Sequence, residues 1–417
     1  RLVDKKIKDY LSIFGAVSIE GPKWCGKTWS SLNQANSVIL LDDDETRQKA
    51  DLSLELVLNN ERPELIDEWN LLPKIWDAVR RKCDETTEKG IYILTCSTKL
   101  TDEEQKKKIH HSGAGRIGKI NMYTMSLYES GDSTGKVSIE DIKNGKMKNQ
   151  INEKVTLEKL ADLIIRGGWP SNLNIAGDKI GIIPKSYIDA ILDKDMNDDK
   201  NRDKSKMLML LKSLARNEST VVSNSTLLKD INEFQSENER IESRTTVEDY
   251  LNVLNRLHIT DNQDAYSENY RSPNRIGKSA KRHFTDPSLA VAALGATPKM
   301  LLNDLNMFGF IFESLCEHDL KIYAEYHDAK LFHFRDERGN EADAIVEFPD
   351  GTWGAFEIKL GANQIDAAAE ELLKLKLIME KEGDTPPKLL CVICGMSNMA
   401  YKRPDGVYVV PITALKP

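Results

Sequence analysis

The sequence predicts an α/β protein, with a parallel-sheet domain at the N-terminal end, a helical middle and a second α/β domain at the C-terminal end. Three observations carry this. Short β-branched runs, at 16–19, 38–41 and 91–97, alternate with helical stretches in the first third, and strands alternating with helices pack as a parallel sheet. Helical periodicity then takes over from about residue 156, with Leu157, Leu160, Leu163 and Ile164 on one face. Finally, two segments of polar–apolar alternation, 340–348 and 352–360, flank Pro349-Asp350-Gly351. At 417 residues the chain has room for two or three cores of roughly 150 residues each, and the expected boundaries are 1–170, 171–280 and 281–417.

Composition excludes several classes. Hydrophobic residues make up 40% and charged residues 30%, which is globular rather than disordered or collagen-like. The 58 basic and 66 acidic residues give a net charge of −8, so any nucleic-acid binding must come from local patches. No apolar run approaches the roughly 18 residues of a membrane span, and Leu389–Cys394 is strand-sized. Arg1-Leu2-Val3-Asp4-Lys5-Lys6 has no apolar segment behind its charges, so no signal peptide is expected in the chain as given. Of six scattered cysteines only Cys391 and Cys394 are close. With no second pair or histidine nearby they read as a buried strand rather than a zinc site. Reduced thiols and a cytoplasmic location are the expectation.

The first strand, Ala16-Val17-Ser18-Ile19, leads into Gly21-Pro22-Lys23-Trp24-Cys25-Gly26-Lys27-Thr28, which has the G-x-x-x-x-G-K-[ST] spacing. Gly21 and Gly26 let the backbone curl so that its N–H groups face phosphate oxygens, and a helix can open at Thr28-Trp29-Ser30. Lys27 is expected to reach the β- and γ-phosphates of ATP, and the Thr28 hydroxyl to ligate Mg²⁺. Glu64-Leu65-Ile66-Asp67-Glu68 supplies a second acidic site, with Asp67 for the Mg²⁺ shell and Glu68 to polarise a water. The strand 91–97 ends in Ser97, a candidate sensor of the γ-phosphate, with Thr98 as the alternative. Asp42-Asp43-Asp44-Glu45 reads as a solvated strand end or, alternatively, a metal site.

These motifs resemble those of prokaryotic AAA-type, STAND-like P-loop ATPases that carry a C-terminal domain of unknown function with a nuclease-like fold. The resemblance rests on Gly21–Thr28, Leu65-Ile66-Asp67-Glu68, Leu94-Thr95-Cys96-Ser97, and Gly115-Arg116 ahead of Met125-Ser126-Leu127. It implies a P-loop NTPase sheet and makes Arg116 the candidate arginine finger or nucleotide-sensing arginine; the alternative is a surface arginine in a Gly-rich loop. Gly167-Gly168-Trp169-Pro170 is similar to the GGxP signature of that class, which implies that Pro170 lines the nucleotide pocket. The chain departs from the common pattern at Trp24 and Cys25, neither of which the phosphate cradle needs.

Residues 129–155 read as a loop or helical connector without a motif, and Asp193–Lys200 as a solvated, mixed-charge helix face. Three helices are expected at 207–215, from 223, and at 245–254, with a strand starting at Leu257-His258-Ile259-Thr260. Three helices and a wing make a winged helix, whose third helix enters a major groove in DNA-binding proteins. Here that helix begins with Glu248 and Asp249, which repel phosphate. Beyond it Tyr270, Arg271, Arg275, Lys278, Lys281 and Arg282 form a basic stretch suited to a nucleic-acid backbone, and a packing or lid role is the competing reading.

The three-residue loop Pro349-Asp350-Gly351 sets the register of the final hairpin: Val346 opposes Gly354, Ala344 opposes Phe356, and Asp343 opposes Glu357. Opposed like charges call for a bridge, and a divalent cation between Asp343 and Glu357 would provide one. Asp343…Glu357-x-Lys359 resembles the catalytic hairpin of the PD-(D/E)xK, restriction-endonuclease-like fold. By that resemblance Asp343 and Glu357 bind Mg²⁺ or Mn²⁺, Lys359 orients a water, and Glu313, with Glu317 in reserve, completes the site from a preceding helix. Without it, a hairpin with surface charges and a Glu341–Lys359 pair fits equally well. No histidine has metal-ligand spacing, and no nucleophile–histidine arrangement is present.

The expectation is therefore an ATP-binding and hydrolysing protein whose nucleotide state regulates a metal-dependent nuclease-like domain acting on DNA. The alternative is a non-cutting switch that binds nucleic acid or a protein partner. Homo-oligomerisation is left open, and no membrane partner is expected.

Overall fold

The computed structural model describes residues 1–101, 104, 107–195, 203–233, 243–267 and 279–417. Packing divides the chain into two compact units, Arg1–Thr124 with Val253–Ile259, and Met125–Asn252 with Thr260–Pro417. Tyr270, Arg271, Arg275 and Lys278 of the basic stretch, and 196–200 of the mixed-charge stretch, lie outside the described residues.

The first unit is built on a parallel sheet of five strands, β1 Ala16–Glu20, β2 Ser37–Leu40, β3 Glu64–Asp67, β4 Tyr92–Cys96 and β5 Ile117–Asn121, in the order β2-β3-β4-β1-β5. Its helices are α1 Val3–Ile13, α2 Lys27–Leu32, α3 Asp44–Leu52 and α4 Lys74–Asp84. One face, with Ala16, Ile66, Leu94 and Ile117, packs with Ile75, Trp76 and Val79 of α4. The other, with Val17, Ile19, Leu65, Ile93 and Ile120, packs with Ile7 of α1. Burial on both faces explains why β1, β3 and β4 are buried at every position, as central parallel strands are. The acidic run after β2 starts a helix: Asp43 caps α3 by accepting from the Thr46 N–H at 2.8 Å. β1 lies between β4 and β5, so Gly21 after β1, Glu68 after β3 and Ser97 after β4 leave the same carboxyl edge.

The second unit contains a mixed seven-stranded sheet. Its strands are β7 Gln150–Ile151, β8 Lys330–Arg335, β9 Glu341–Glu347, β10 Trp353–Lys359, β11 Leu389–Cys394, β12 Met399–Lys402 and β13 Tyr408–Pro411, in the order β7-β12-β13-β11-β10-β9-β8. β6 Val137–Ser138 pairs with β14 Leu415–Lys416. The connector at 129–155 thus holds β6, a helix Ile139–Lys143 and β7, elements of two to five residues that are too short to show a period. Helix Leu305–Tyr326 precedes β8, and helix Ile365–Glu382 crosses from β10 to the parallel strand β11. Cys391 and Cys394 are buried free thiols inside β11.

The three middle helices form at Lys204–Arg216, Asn224–Asn232 and Arg244–Arg256. Asp203 caps the first and Ser223 the second, each through its side-chain oxygen. Leu257–Ile259 closes the third helix rather than opening a strand: Ile259 N–H donates to Leu254 O at 2.9 Å and His258 takes φ 55°. Antiparallel pairing begins at Thr260, opposite Phe284, and continues with Gln263 opposite Lys281. Among the described residues no helix is long and apolar enough to cross a membrane.

Gly167-Gly168-Trp169 is a close-packed junction in the second unit. Met125 N–H donates to Gly168 O at 2.7 Å, Gly168 N–H donates to Asp286 Oδ2 at 2.9 Å, and the buried Trp169 donates through Nε1 to Ser288 Oγ at 2.9 Å. A Cβ on Gly168 would lie 2.1 Å from Met125 O, so Gly168→Ala forces backbone to move. It should cost about 1–3 kcal/mol. Gly309→Ala, in a helix with open space around it, should leave stability unchanged or raise it. Thermal unfolding of the two variants checks the contrast.

Candidate functional site

At the carboxyl edge of the first sheet the loop after β1 turns through two left-handed residues, Trp24 at φ 63° and Gly26 at φ 102°. Gly21 has no room for a side chain, since a Cβ would fall 2.1 Å from Met122 O. Cys25 is buried there with its thiol 3.8 Å from the same carbonyl, so this departure from the usual motif is a packing residue. Pro22 is buried, Lys23 half-buried, and Trp24 exposed. The buried Lys27 donates from Nζ to Gly21 O at 3.0 Å and Pro22 O at 2.8 Å.

Thr28 Oγ1 donates to Asp67 Oδ1 at 2.9 Å, which joins the two motifs. Thr95 Oγ1 donates to the same Asp67 oxygen and accepts the Glu68 N–H at 3.3 Å. Glu68 sits at φ 53°, a conformation that costs of order 1 kcal/mol and clusters at functional sites. Its Oε2 accepts the Ser97 N–H at 3.2 Å. Thr28, Asp67, Glu68 and Ser97 are therefore brought together at this edge. Thr95 is a site residue the motifs did not single out, although its place as the last polar position inside β4 was a usable signal. Thr98, the alternative sensor, makes a local contact, its carbonyl lying 3.6 Å from the Cys96 thiol. The Thr28 hydroxyl and Asp67 carboxylate are hard oxygens of the kind Mg²⁺ takes, and Lys27 suits a phosphate, so these residues fit Mg²⁺–ATP.

One expected nucleotide residue is not drawn in. Arg116 lies at the opposite edge of the sheet: its carbonyl accepts from Ala16 N–H at 3.1 Å, at the start of β1, and its side chain pairs with Asp84 at 2.5 Å. The strand length puts it about 13 Å from the phosphate loop, so Arg116 does not reach that loop in its own chain. Pro170 opens the turn Pro170–Asn172 within the second unit. In contrast, His258 joins the first unit with no sequence signal. Burial, then the charges of Lys99 and Lys27, push its imidazole down to about 3, and its Nε2 is buried without a hydrogen bond. The turn is anchored by Lys99 N–H donating to Arg256 O at 3.0 Å.

In the second unit the hairpin has the predicted register, Val346 opposite Gly354 and Ala344 opposite Phe356, with Gly351 at φ 76° in the turn. The ladder then gives way to a side chain: Asp343 Oδ2 accepts Ile358 N–H at 2.7 Å and Lys359 Nζ at 3.1 Å. Lys359 also reaches Glu357 Oε2 at 2.6 Å. The bridge between the two carboxylates, expected to be a divalent cation, is thus the Lys359 ammonium. On helix Leu305–Tyr326, Glu313 and Glu317 share a second ammonium, that of the buried Lys281. It donates to Glu313, to Glu317 Oε1 at 2.8 Å and to Asp343 O at 3.1 Å.

Four carboxylates share two lysines, and the imbalance appears in their acidities. Burial, then the Asp343 charge, pushes Glu313 up to about 7 and Glu357 up to about 8. Burial would lower both lysines, but the carboxylates outweigh it and hold them above their ordinary value. Glu313, Asp343, Glu357 and Lys359 are brought together, while Lys281 was read only as part of a basic surface. Among the described residues no group of three or more His, Cys, Asp or Glu is arranged to hold a metal ion. The donors have the right chemistry for Mg²⁺, and an ion bound there would have to displace the lysine ammonium groups that now lie between them.

Three family models match separate stretches of the chain. Residues 14–131 match the family described as an AAA domain. Residues 157–300 and 308–415 match two domains of unknown function, DUF8612 and DUF4143. No curated protein matches the chain. Among solved structures the chain is similar to the Walker-type ATPase paby2304 of Pyrococcus abyssi, with 13% identity, 70% of this chain and 94% of that one covered, and a TM-score of 0.40. It is also similar to the Aeropyrum pernix ORC2 protein in ADPNP–ADP complexes, with 12% identity, coverage of 73% and 94%, and a TM-score of 0.32. A third is the A. pernix ORC1 protein in complex with DNA, with 13% identity, coverage of 70% and 92%, and a TM-score of 0.27. The phosphate-loop geometry and the AAA match together support ATP binding and hydrolysis by the first unit.

Beside the carboxylate cluster, Glu218 accepts Ser314 Oγ at 2.7 Å and Phe284 N–H at 3.1 Å, and burial pushes it from 4.5 up to about 8. The folded protein therefore keeps this proton between about pH 4.5 and 8 while the unfolded chain releases it. The contribution of Glu218 to stability therefore falls as pH rises through that window, while the buried His258 and His283 act in the opposite sense below their ordinary value of 6.5. Thermal unfolding should show the decline above about pH 6.5, where the histidines no longer oppose it, and Glu218→Gln should flatten part of it.

Proposed function

We propose that this protein is an ATP-hydrolysing switch whose nucleotide state regulates a nuclease-like second unit acting on DNA. The hydrogen bond from Thr28 to Asp67 carries the ATPase reading, because it joins the phosphate loop to the acidic strand end. Mg²⁺, when bound, would neutralise phosphate charge and orient the β- and γ-groups. Thr28 and Asp67 would hold it, and Lys27 would leave its carbonyls for phosphate oxygens. Glu68, on Ser97 N–H, would orient the attacking water, and Ser97 and Thr95 would report the nucleotide state through that acid pair.

For the second unit, the reading as a Mg²⁺- or Mn²⁺-dependent deoxyribonuclease is supported by Asp343, Glu357 and Lys359 meeting at one end of the hairpin, with Glu313 supplied by the preceding helix. Helix Leu305–Tyr326, which carries Glu313 and precedes the hairpin in the chain, supports the same reading. The second reading, a non-cutting switch that binds nucleic acid or a protein partner, is favoured by Lys281, whose ammonium lies among the same carboxylates. In trans from another copy, Arg116 remains an arginine-finger candidate.

Lys27→Ala removes a buried cation from the phosphate site and should weaken ATP affinity at least about thirtyfold; tight ATP binding by this variant contradicts the P-loop reading. Cleavage of single- and double-stranded DNA with Mg²⁺ or Mn²⁺, with and without ATP, separates the two readings of the second unit. Activity that is lost in Asp343→Ala supports the nuclease, and its ATP dependence measures the regulation. No cleavage by the unaltered protein under any of these conditions supports the switch.

A further inference from the structure

A cleft of about 320 Å³ lies in the second unit, at the end of its sheet where β11 and β13 begin, and that volume is of ligand size. Lys388, on its wall, donates from its backbone N–H to Trp353 O at 2.8 Å, at the start of β10. The carboxylate cluster lies at the far end of that strand, beside Lys359. Six residue steps along β10 place the two about 20 Å apart.

Four lysines line the cleft, Lys143, Lys376, Lys388 and Lys402, against one carboxylate, Asp405. Asp405 is already paired with Arg403 at 3.0 Å. Lys143 is held by Asp350 at 2.7 Å, and Lys376 has Glu380 only at 3.9 Å. Lys388 and Lys402 are exposed and form no ion pair among the described residues, and Lys402 lies over the Tyr408 ring at 5.1 Å. On a chain of net charge −8, such a concentration of ammonium groups opposes the overall field and attracts a polyanion locally. Ammonium groups converging on a concave wall suit several phosphates better than one carboxylate, because each acts as a point charge without a planar fork.

We propose that this cleft binds an oligophosphate, either the backbone of a nucleic acid or a free oligophosphate, as an anion site separate from the phosphate loop. The test uses the full chain carrying Lys27→Ala, so that phosphates are not taken up at that loop, and omits divalent cations, so that cleavage plays no part. A labelled 20-nucleotide DNA and tripolyphosphate are titrated against this protein and against the same protein with Lys388→Glu and Lys402→Glu. Both lysines are exposed, so the fold should be kept, which an unchanged melting temperature verifies.

Affinity for the true ligand should fall at least tenfold, and for DNA the slope of log affinity against log salt should shrink by about 2. Loss of DNA binding identifies a nucleic-acid backbone as the source. Loss of tripolyphosphate binding with DNA unaffected identifies a free oligophosphate. Absence of binding by the parent, affinities unmoved by the substitutions, or an equal loss with Lys374→Glu and Lys381→Glu outside the cleft overturns the proposal.

Discussion

Lys281 is surrounded by more carboxylate than one positive charge can balance, and the second unit is organised around that imbalance. Its ammonium joins the bridge segment opposite Gln263, the long helix through Glu313 and Glu317, and the β9 backbone through Asp343 O. Taking such charges out of water is expensive, and removing one partner strands the others at a cost of about 3–5 kcal/mol. Lys359 repeats the arrangement between Asp343 and Glu357. The two lysines therefore do structurally what a divalent cation would do in the same place. The neutral His283 extends the network, with Nδ1 3.2 Å from Glu218 and Nε2 3.3 Å from Glu317. Burial, then the Lys281 charge, keeps that imidazole well below its ordinary value.

The first unit solves a different electrostatic problem. Asp67 is satisfied by two hydroxyls, Thr28 and Thr95, rather than by a cation. Hydroxyl hydrogen bonds can be exchanged for a metal ligand without leaving a buried charge unpaired, which the lysine-clamped acids of the second unit cannot do as simply. The same arithmetic sets Lys27, whose present partners are neutral carbonyls, apart from Lys281.

What could be read in advance follows from range. The hairpin register was legible because a strand alternates every second residue and Pro-Asp-Gly specifies the loop length. The phosphate loop was legible because its chemistry is confined to eight consecutive residues. Thr95 and Lys281 were not, since each acts through a partner far away in sequence, and a lysine in a charged stretch looks solvated until a buried helix is packed against it. The place of Arg116 was not legible because a strand has two ends: the motif gave proximity in sequence, while Arg116 immediately precedes β5 at the edge opposite the loop. His258 looked like a strand residue and is a helix terminus in the left-handed region, which only the backbone reveals.

The first unit is not contiguous in the chain. Val253, Leu254, Leu257 and Ile259 are buried members of it, yet they follow more than a hundred residues assigned to the second unit. During synthesis, at about 5–20 residues per second, the nucleotide-binding sheet emerges several seconds before the segment that completes it. The nascent unit must wait without the segment that Lys99 N–H holds through Arg256 O, and the ribosome rather than the folded topology sets how long. Folding of the ATPase unit is thus tied to translation of the middle of the chain, and a stop or pause before Ile259 leaves it unfinished however complete its own five strands are.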